Sequence, residues 1–160
     1  MDLLDKLIVY YSWSGNTRKI AQTIKELLGC DIVELEPEQA YPGSYRETVE
    51  EAKKEIKSGY RRPIKTKIDV EKYNILFLGS PNWWGTLAVP IITFLSQHDL
   101  SNKKIAPFFS HGGGGMQNML EDLKKLCPKS EILQPFVVYS GGKKDLKKDI
   151  EVWLKRIQVL

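Results

Sequence analysis

The sequence predicts an α/β protein, a three-layer α/β/α sandwich around a five-stranded parallel sheet. Three observations carry this. Short, almost wholly apolar runs are spaced along the 160 residues, as expected of strands buried on both faces. Between them lie stretches whose apolar residues recur at helical spacing. Three chemically unusual loops each follow an apolar run, at the sheet edge where such folds keep their ligands.

Leu7–Tyr11 reads as the first buried strand. From Thr17, the apolar residues Ile20, Ile24, Leu27 and Leu28 mark a helix closed by Gly29, a residue suited to the left-handed C′ position. Asp31–Leu35 is a short second strand. Ser44 and Glu47 fit a capping box for a charged surface helix that ends at Gly59, and Arg61-Arg62-Pro63 cannot continue it. Ile75–Gly79 is the third strand, followed by a helix over Leu87–Leu95 with Pro90 in its first turn. Ile105–Ser110 is the fourth strand, and Met116, Met119, Leu120, Leu123 and Leu126 mark the next helix. Ile132–Tyr139 is the fifth strand, bent or edge-like at Pro135, which has no N–H to donate. Leu146, Ile150, Trp153, Leu154 and Ile157 form a closing amphipathic helix. With no internal repeat or linker, residues 1–160 are expected to form a single domain.

The first loop is Ser12-Trp13-Ser14-Gly15-Asn16-Thr17. A strand, a tight hydroxyl-rich turn and a helix start make an anion site, because the helix N-terminus offers unpaired N–H groups and positive dipole. Phosphate is its expected occupant. The pattern matches neither the nucleotide P-loop nor the dinucleotide fingerprint. Arg18 and Lys19 in the first helical turn oppose the dipole, a repulsion that a bound dianion would relieve.

The second loop, Pro81-Asn82-Trp83-Trp84-Gly85-Thr86, places adjacent tryptophans at a strand end. Neighbours on a strand face opposite ways, so at least one indole is expected on the cleft rim, where a planar ligand can stack. The third loop, Ser110 and His111 followed by Gly112-Gly113-Gly114-Gly115, exposes backbone N–H groups to the edge of a flat ligand. Phosphate at one end, an aromatic wall in the middle and donors along one edge together describe flavin mononucleotide (FMN). His98, in a polar turn, reads as structural.

Composition sets limits on the alternatives. Net charge is +4 with both signs interspersed, which permits an acidic partner but does not point to nucleic acid. Cys30 and Cys127 have neither disulfide-framework nor zinc spacing. No run suits a membrane span, and the acidic Met1–Lys6 segment does not read as a signal peptide, so a cytoplasmic location is expected. A phosphoacceptor receiver domain needs an Asp where Gly79-Ser80-Pro81 stands. A low-molecular-weight phosphatase needs a thiolate where Ser12 precedes Arg18.

On these residues the chain resembles the flavodoxin family. Tyr11–Thr17 is similar to its phosphate loop, Pro81–Thr86 to its ring-stacking loop and Ser110–Gly115 to its third loop. The resemblance covers nearly the whole chain. It implies the strand order 2-1-3-4-5 and tightly held, non-covalent FMN. It also implies phosphate contacts from Ser12, Ser14, Asn16 and Thr17 with backbone help from Trp13 and Gly15. Ring contacts would come from Trp83, Trp84 and Gly85, and edge contacts from His111 and the glycines after it. The fifth strand shows no long insertion, which looks like the short-chain type. Tyr41-Pro42, Tyr45, Ala52-Lys53 and Arg62-Pro63 look like a subgroup with an enlarged second crossover.

Two departures bear on function. The family's electron carriers are usually strongly acidic, with acidic residues after the glycine of the ring-stacking loop; here Thr86 and Leu87 follow Gly85. Less negative charge near the flavin favours its anionic reduced form, so the second reduction potential is expected to be less negative than in a typical member. Gly85 is expected to let the Trp84–Gly85 peptide take either orientation. The expected function is electron transfer with a redox partner protein or a small-molecule acceptor. The alternative is an FMN-dependent reductase passing electrons from NAD(P)H to a quinone or similar acceptor, with basic residues of the long crossover (Lys53, Lys54, Lys57, Arg61, Arg62, Lys65 and Lys67) as a lid or docking face.

Overall fold

The computed structural model describes residues 5–160; Met1–Leu4, part of the N-terminal segment considered above, lies outside the described residues. The chain order is β1 (Lys6–Tyr10), α1 (Asn16–Leu28), β2 (Asp31–Glu34), α2 (Tyr45–Ser58), β3 (Ile75–Trp83), β4 (Thr86–Leu87), α3 (Val89–Gln97), β5 (Lys104–His111), α4 (Met119–Leu126), β6 (Glu131–Ile132), β7 (Phe136–Tyr139) and α5 (Leu146–Arg156). The sheet order is β2-β1-β3-β5-β6, with β7 also paired to β5. Every pairing is parallel except the short β3–β4 hairpin. The architecture is flavodoxin-like.

The sheet differs from the sequence expectation in two places. The fifth strand is split into β6 and β7, and Pro135 lies in the break, where its missing N–H interrupts the ladder. The third strand does not stop at Gly79 but runs on to Trp83, then turns back as β4. The second loop is therefore mostly strand, with only Trp84 and Gly85 in its turn.

Alternate residues of the central strands feed two cores. Ile8, Phe77 and Phe108 pack with Ile20 and Ile24 of α1 and Ile150 and Trp153 of α5. Leu7, Leu76 and Ile105 face the other way, against Phe94 of α3 and Leu123 of α4. This period-two division makes the three layers. Gly79 is forced by space: a Cβ there would lie 2.1 Å from the ring of Phe108, its partner across the ladder.

The caps follow the sequence. Gly29 and Gly59 close α1 and α2 in the left-handed conformation, and the Ser44 side chain accepts from Glu47 N–H. His98 is structural, with its ring nitrogens against the carbonyls of Phe94 and Ile68. Both cysteines are buried and free, and burial pushes the Cys127 thiol up to about 11.

Candidate functional site

The first loop joins β1 to α1 at the carboxyl edge of the sheet. Gly15, at φ 102°, forms the N-cap without a side-chain cap. The loop closes on Ser12, whose Oγ accepts from Gly15 N–H at 3.1 Å and Arg18 N–H at 3.2 Å. Ser12 is buried, so its oxygen shapes the loop from behind. Among the described residues, the N–H groups of Trp13, Ser14, Asn16 and Thr17 have no protein partner, as at the open N-terminus of a helix. Thr17 is buried, and its Oγ1 lies 2.9 Å from Ser110 Oγ at the end of β5. Two hydroxyls sharing one bond leave one proton to donate.

Arg18 does not serve the loop as its position in the sequence suggests. It makes a bidentate pair with Glu34 at 2.9 and 2.6 Å, and Tyr10 Oη donates to the same carboxylate at 2.7 Å. The Arg18 hydrogen bond holds the Glu34 carboxyl below the usual range. Burial, with the Glu34 bond next, pushes the Tyr10 phenol up.

In the second loop, Trp84 and Gly85 have φ 55° and 86°. Positive φ at both central residues marks a type I′ hairpin turn, a left-handed conformation costing the tryptophan about 1 kcal/mol. Asn82 secures it: Oδ1 accepts from Gly85 N–H at 2.8 Å, while Nδ2 donates to Gly115 O at 2.7 Å and Gln117 Oε1 at 2.9 Å. Asn82 thus ties the second loop to the third. The free reorientation expected of the Trp84–Gly85 peptide is opposed by the Asn82 bond. Reversal would also put Trp84 in backbone space open essentially only to glycine.

The tryptophans part company. Trp84 is exposed, with its Nε1–H donating to Val49 O at 2.9 Å and the Lys53 ammonium 5.0 Å from its ring centre. Trp83 is half-buried and meets Tyr41 and Tyr11 edge-on at centroid distances of 4.9 and 5.5 Å. Behind Tyr41 sits buried Arg62, its guanidinium 3.7 Å from that ring centre. Arg62 donates to Glu55 and Gln39 O, and Tyr41 Oη donates to Glu55 Oε1. Burial alone would lower the Arg62 pKa, but the Glu55 bond with the neighbouring charges reverses this and the net shift is upward. The Arg62 assigned above to a basic face is instead the internal fastening of the crossover.

The third loop is organised by His111. Its Nδ1 accepts from Gly113 N–H at 3.0 Å and Gly115 N–H at 3.1 Å, so the proton of the neutral ring sits on Nε2. Those two amides are occupied by the protein, while Gly112 and Gly114 stand on the cavity wall. Tyr139 meets the His111 ring edge-on at 5.8 Å.

These loops enclose a cavity of about 710 Å³, within the usual size range for small-molecule sites. Trp13, Ser14, Asn16 and Thr17 line it at one end; Pro81, Asn82, Trp83, Trp84 and Gly85 along one wall; Ser110, His111, Gly112 and Gly114 along another. Ser12, Gly15, Gly113 and Gly115 do not line the cavity. Sequence reasoning missed one face of α2 (Tyr45, Thr48, Val49 and Ala52), together with Gln117, Tyr139 and Ser140. Ser140 directly follows β7, so the rule that ligands lie at strand carboxyl ends would have found it. The α2 face was hidden by that helix's high charge.

The flavodoxin family model, described as Flavodoxin, matches residues 5–157. No curated protein matches the chain. A presumed flavoprotein from Bacteroides eggerthii is similar in structure, with a TM-score of 0.85, 27% identity and coverage of 98% of this chain and 99% of the other. A flavoprotein from Lactobacillus acidophilus, solved in complex with FMN, has a TM-score of 0.75, 25% identity and coverage of 94% and 98%. Oxidised Flavodoxin 2 from Bacillus cereus, at 21% identity, shares the fold, with a TM-score of 0.62 and coverage of 96% and 97%. With its sheet order, its three loops at one sheet edge and a family match over almost its full length, the chain belongs to the flavodoxin family.

Proposed function

We propose that the cavity holds FMN and that the protein transfers electrons through it to or from a redox partner. The observation that carries this reading is the set of unpartnered N–H groups at Trp13, Ser14, Asn16 and Thr17, at one end of an aromatic-walled cavity. A phosphate monoester answers those donors, and the Ser14 and Thr17 hydroxyls add to them. Ser12 and Gly15 act by shaping the loop. Pro81, Asn82, Trp83, Trp84 and Gly85 form the wall for the ring system. Gly112 and Gly114 offer backbone groups to its edge, positioned by Ser110, His111, Gly113 and Gly115. FMN supplies reversible redox chemistry when bound; the chain binds it, orients it and sets its electrostatic surroundings. Buried, free thiols suit a reducing compartment, in keeping with a cytoplasmic protein.

Reconstitution of the purified protein with FMN tests the reading. One equivalent is expected to bind and give a flavin absorption spectrum; a colourless protein that takes up no FMN overturns it. The second reading, an NAD(P)H-dependent reductase of a quinone or similar acceptor, is favoured by the basic charge balance, because reduced nicotinamide cofactors are anionic. Rapid oxidation of NADPH by the reconstituted protein with a quinone alone supports the reductase. Turnover that requires a partner protein supports the carrier.

A further inference from the structure

A second concavity of about 390 Å³ lies on the other side of the Trp84–Gly85 turn, between the end of α2 and α4. Its floor is apolar, built from Ile56, Val89, Ile92 and Leu126. Its rim carries Tyr60 and Trp84, about half exposed at 50% and 51%. Among the described residues, the exposed aromatic rings are Tyr45, Tyr60, Trp84 and Tyr139. Each borders one of the two cavities, and Trp84 borders both. Exposed aromatic area confined to two adjoining hollows is what planar ligands call for.

The charges of the groove are unequal in their freedom. Glu55 is neutralised by Arg62 and also accepts from Tyr41, while Asp122 accepts from the Thr86 hydroxyl at 2.5 Å and keeps its charge, leaving one free carboxylate against two cations. Its cations, Arg61 and Lys125, form no ion pair among the described residues. An aromatic rim, an apolar floor and uncommitted cations select an anion with a flat ring.

We propose that this groove is a second ligand site taking an adenine nucleotide, with the base against Tyr60 and Trp84 and the phosphates toward Arg61 and Lys125. The adenosine diphosphate group is common to nicotinamide dinucleotides and coenzyme A. In a dinucleotide it would hold the donor with its far end at the turn shared with the first cavity, and that consequence rests on the FMN reading above.

The test is calorimetric titration of the FMN-loaded protein with ADP, adenosine, NADPH and coenzyme A at fixed salt. ADP is expected to saturate one site per chain without displacing FMN, and adenosine to bind about tenfold more weakly. Arg61→Glu and Lys125→Glu are each expected to weaken ADP about tenfold, a loss of about 1.4 kcal/mol. Tyr60→Ser is expected to weaken ADP and adenosine alike, while Lys148→Glu, on exposed α5, leaves both unchanged. NADPH binding tighter than ADP and coenzyme A assigns the natural source as a dinucleotide; coenzyme A binding tightest assigns it instead. Absence of saturable ADP binding, displacement of FMN by ADP, or a Lys148→Glu loss equal to that of Arg61→Glu overturns the site. If the protein takes up no FMN, the function proposed above fails, and the same titration of the unloaded protein still reads the groove.

Discussion

At the residue scale, several polar side chains in the cavity wall hold other parts of the wall. Ser12, Asn82 and His111 each make two hydrogen bonds to backbone groups of the loops. Asn82→Ala removes the acceptor of Gly85 N–H and the tie to Gly115. It is expected to cost about 1–3 kcal/mol of stability and to speed hydrogen exchange at the Gly85 amide far more than at amides of β1. Unchanged exchange at Gly85 would contradict the latch. Glu34 gives a prediction with a sign in pH. Its folded pKa is depressed by Arg18, so its contribution is full above the unfolded carboxylate value and is lost as pH falls through the folded value. Glu34→Gln should therefore lower stability at pH 7 by about 1 kcal/mol for this partly exposed pair. The difference from wild type should close in strong acid, as read by urea unfolding at both pH values.

At the scale of elements, the sequence was most legible where a single local rule decides the outcome. The first strand, the Gly29 and Gly59 helix ends and Pro90 at the start of α3 all follow from such rules. It was less legible where tertiary pairing decides. Ser80–Trp83 lacks the apolar pattern of Ile75–Gly79, yet it stays extended because β5 pairs alongside as far as Pro81 and β4 folds back onto Asn82 and Trp83. The role of Arg62 was hidden for a similar reason: its partners Glu55, Gln39 and Tyr41 are brought together only by the folded crossover. The candidate site was legible as three loops, but the α2 wall was not, since a helix with mixed charge on every turn gives no sign of what its small face covers. The close fit between neighbouring strands gives a sharp test. Gly79→Ala would drive a methyl group into the Phe108 ring. It is expected to lower stability by about 1–3 kcal/mol, seen as a lower urea midpoint at unchanged slope.

At the scale of the whole molecule, one edge of the sheet carries all three loops, which lie at the ends of β1, β3 and β5. Net charge is +4, and the residues after Gly85 are Thr86 and Leu87 rather than acids. Less negative surroundings lower the cost of adding negative charge to the flavin. Potentiometric titration of the reconstituted protein should give a second reduction potential less negative than is usual in the family. A value in the usual strongly reducing range would show that the local field is set by something other than these residues.

The first loop, at the open end of α1, is proposed to anchor FMN through its phosphate. Titration of the apoprotein with FMN and with riboflavin, followed by flavin fluorescence, tests it most directly, because the two ligands differ only in that group. One FMN per chain is expected, with riboflavin weaker by about a hundredfold, or about 2.7 kcal/mol. Equal affinity for the two, or no saturable binding of either, would contradict it.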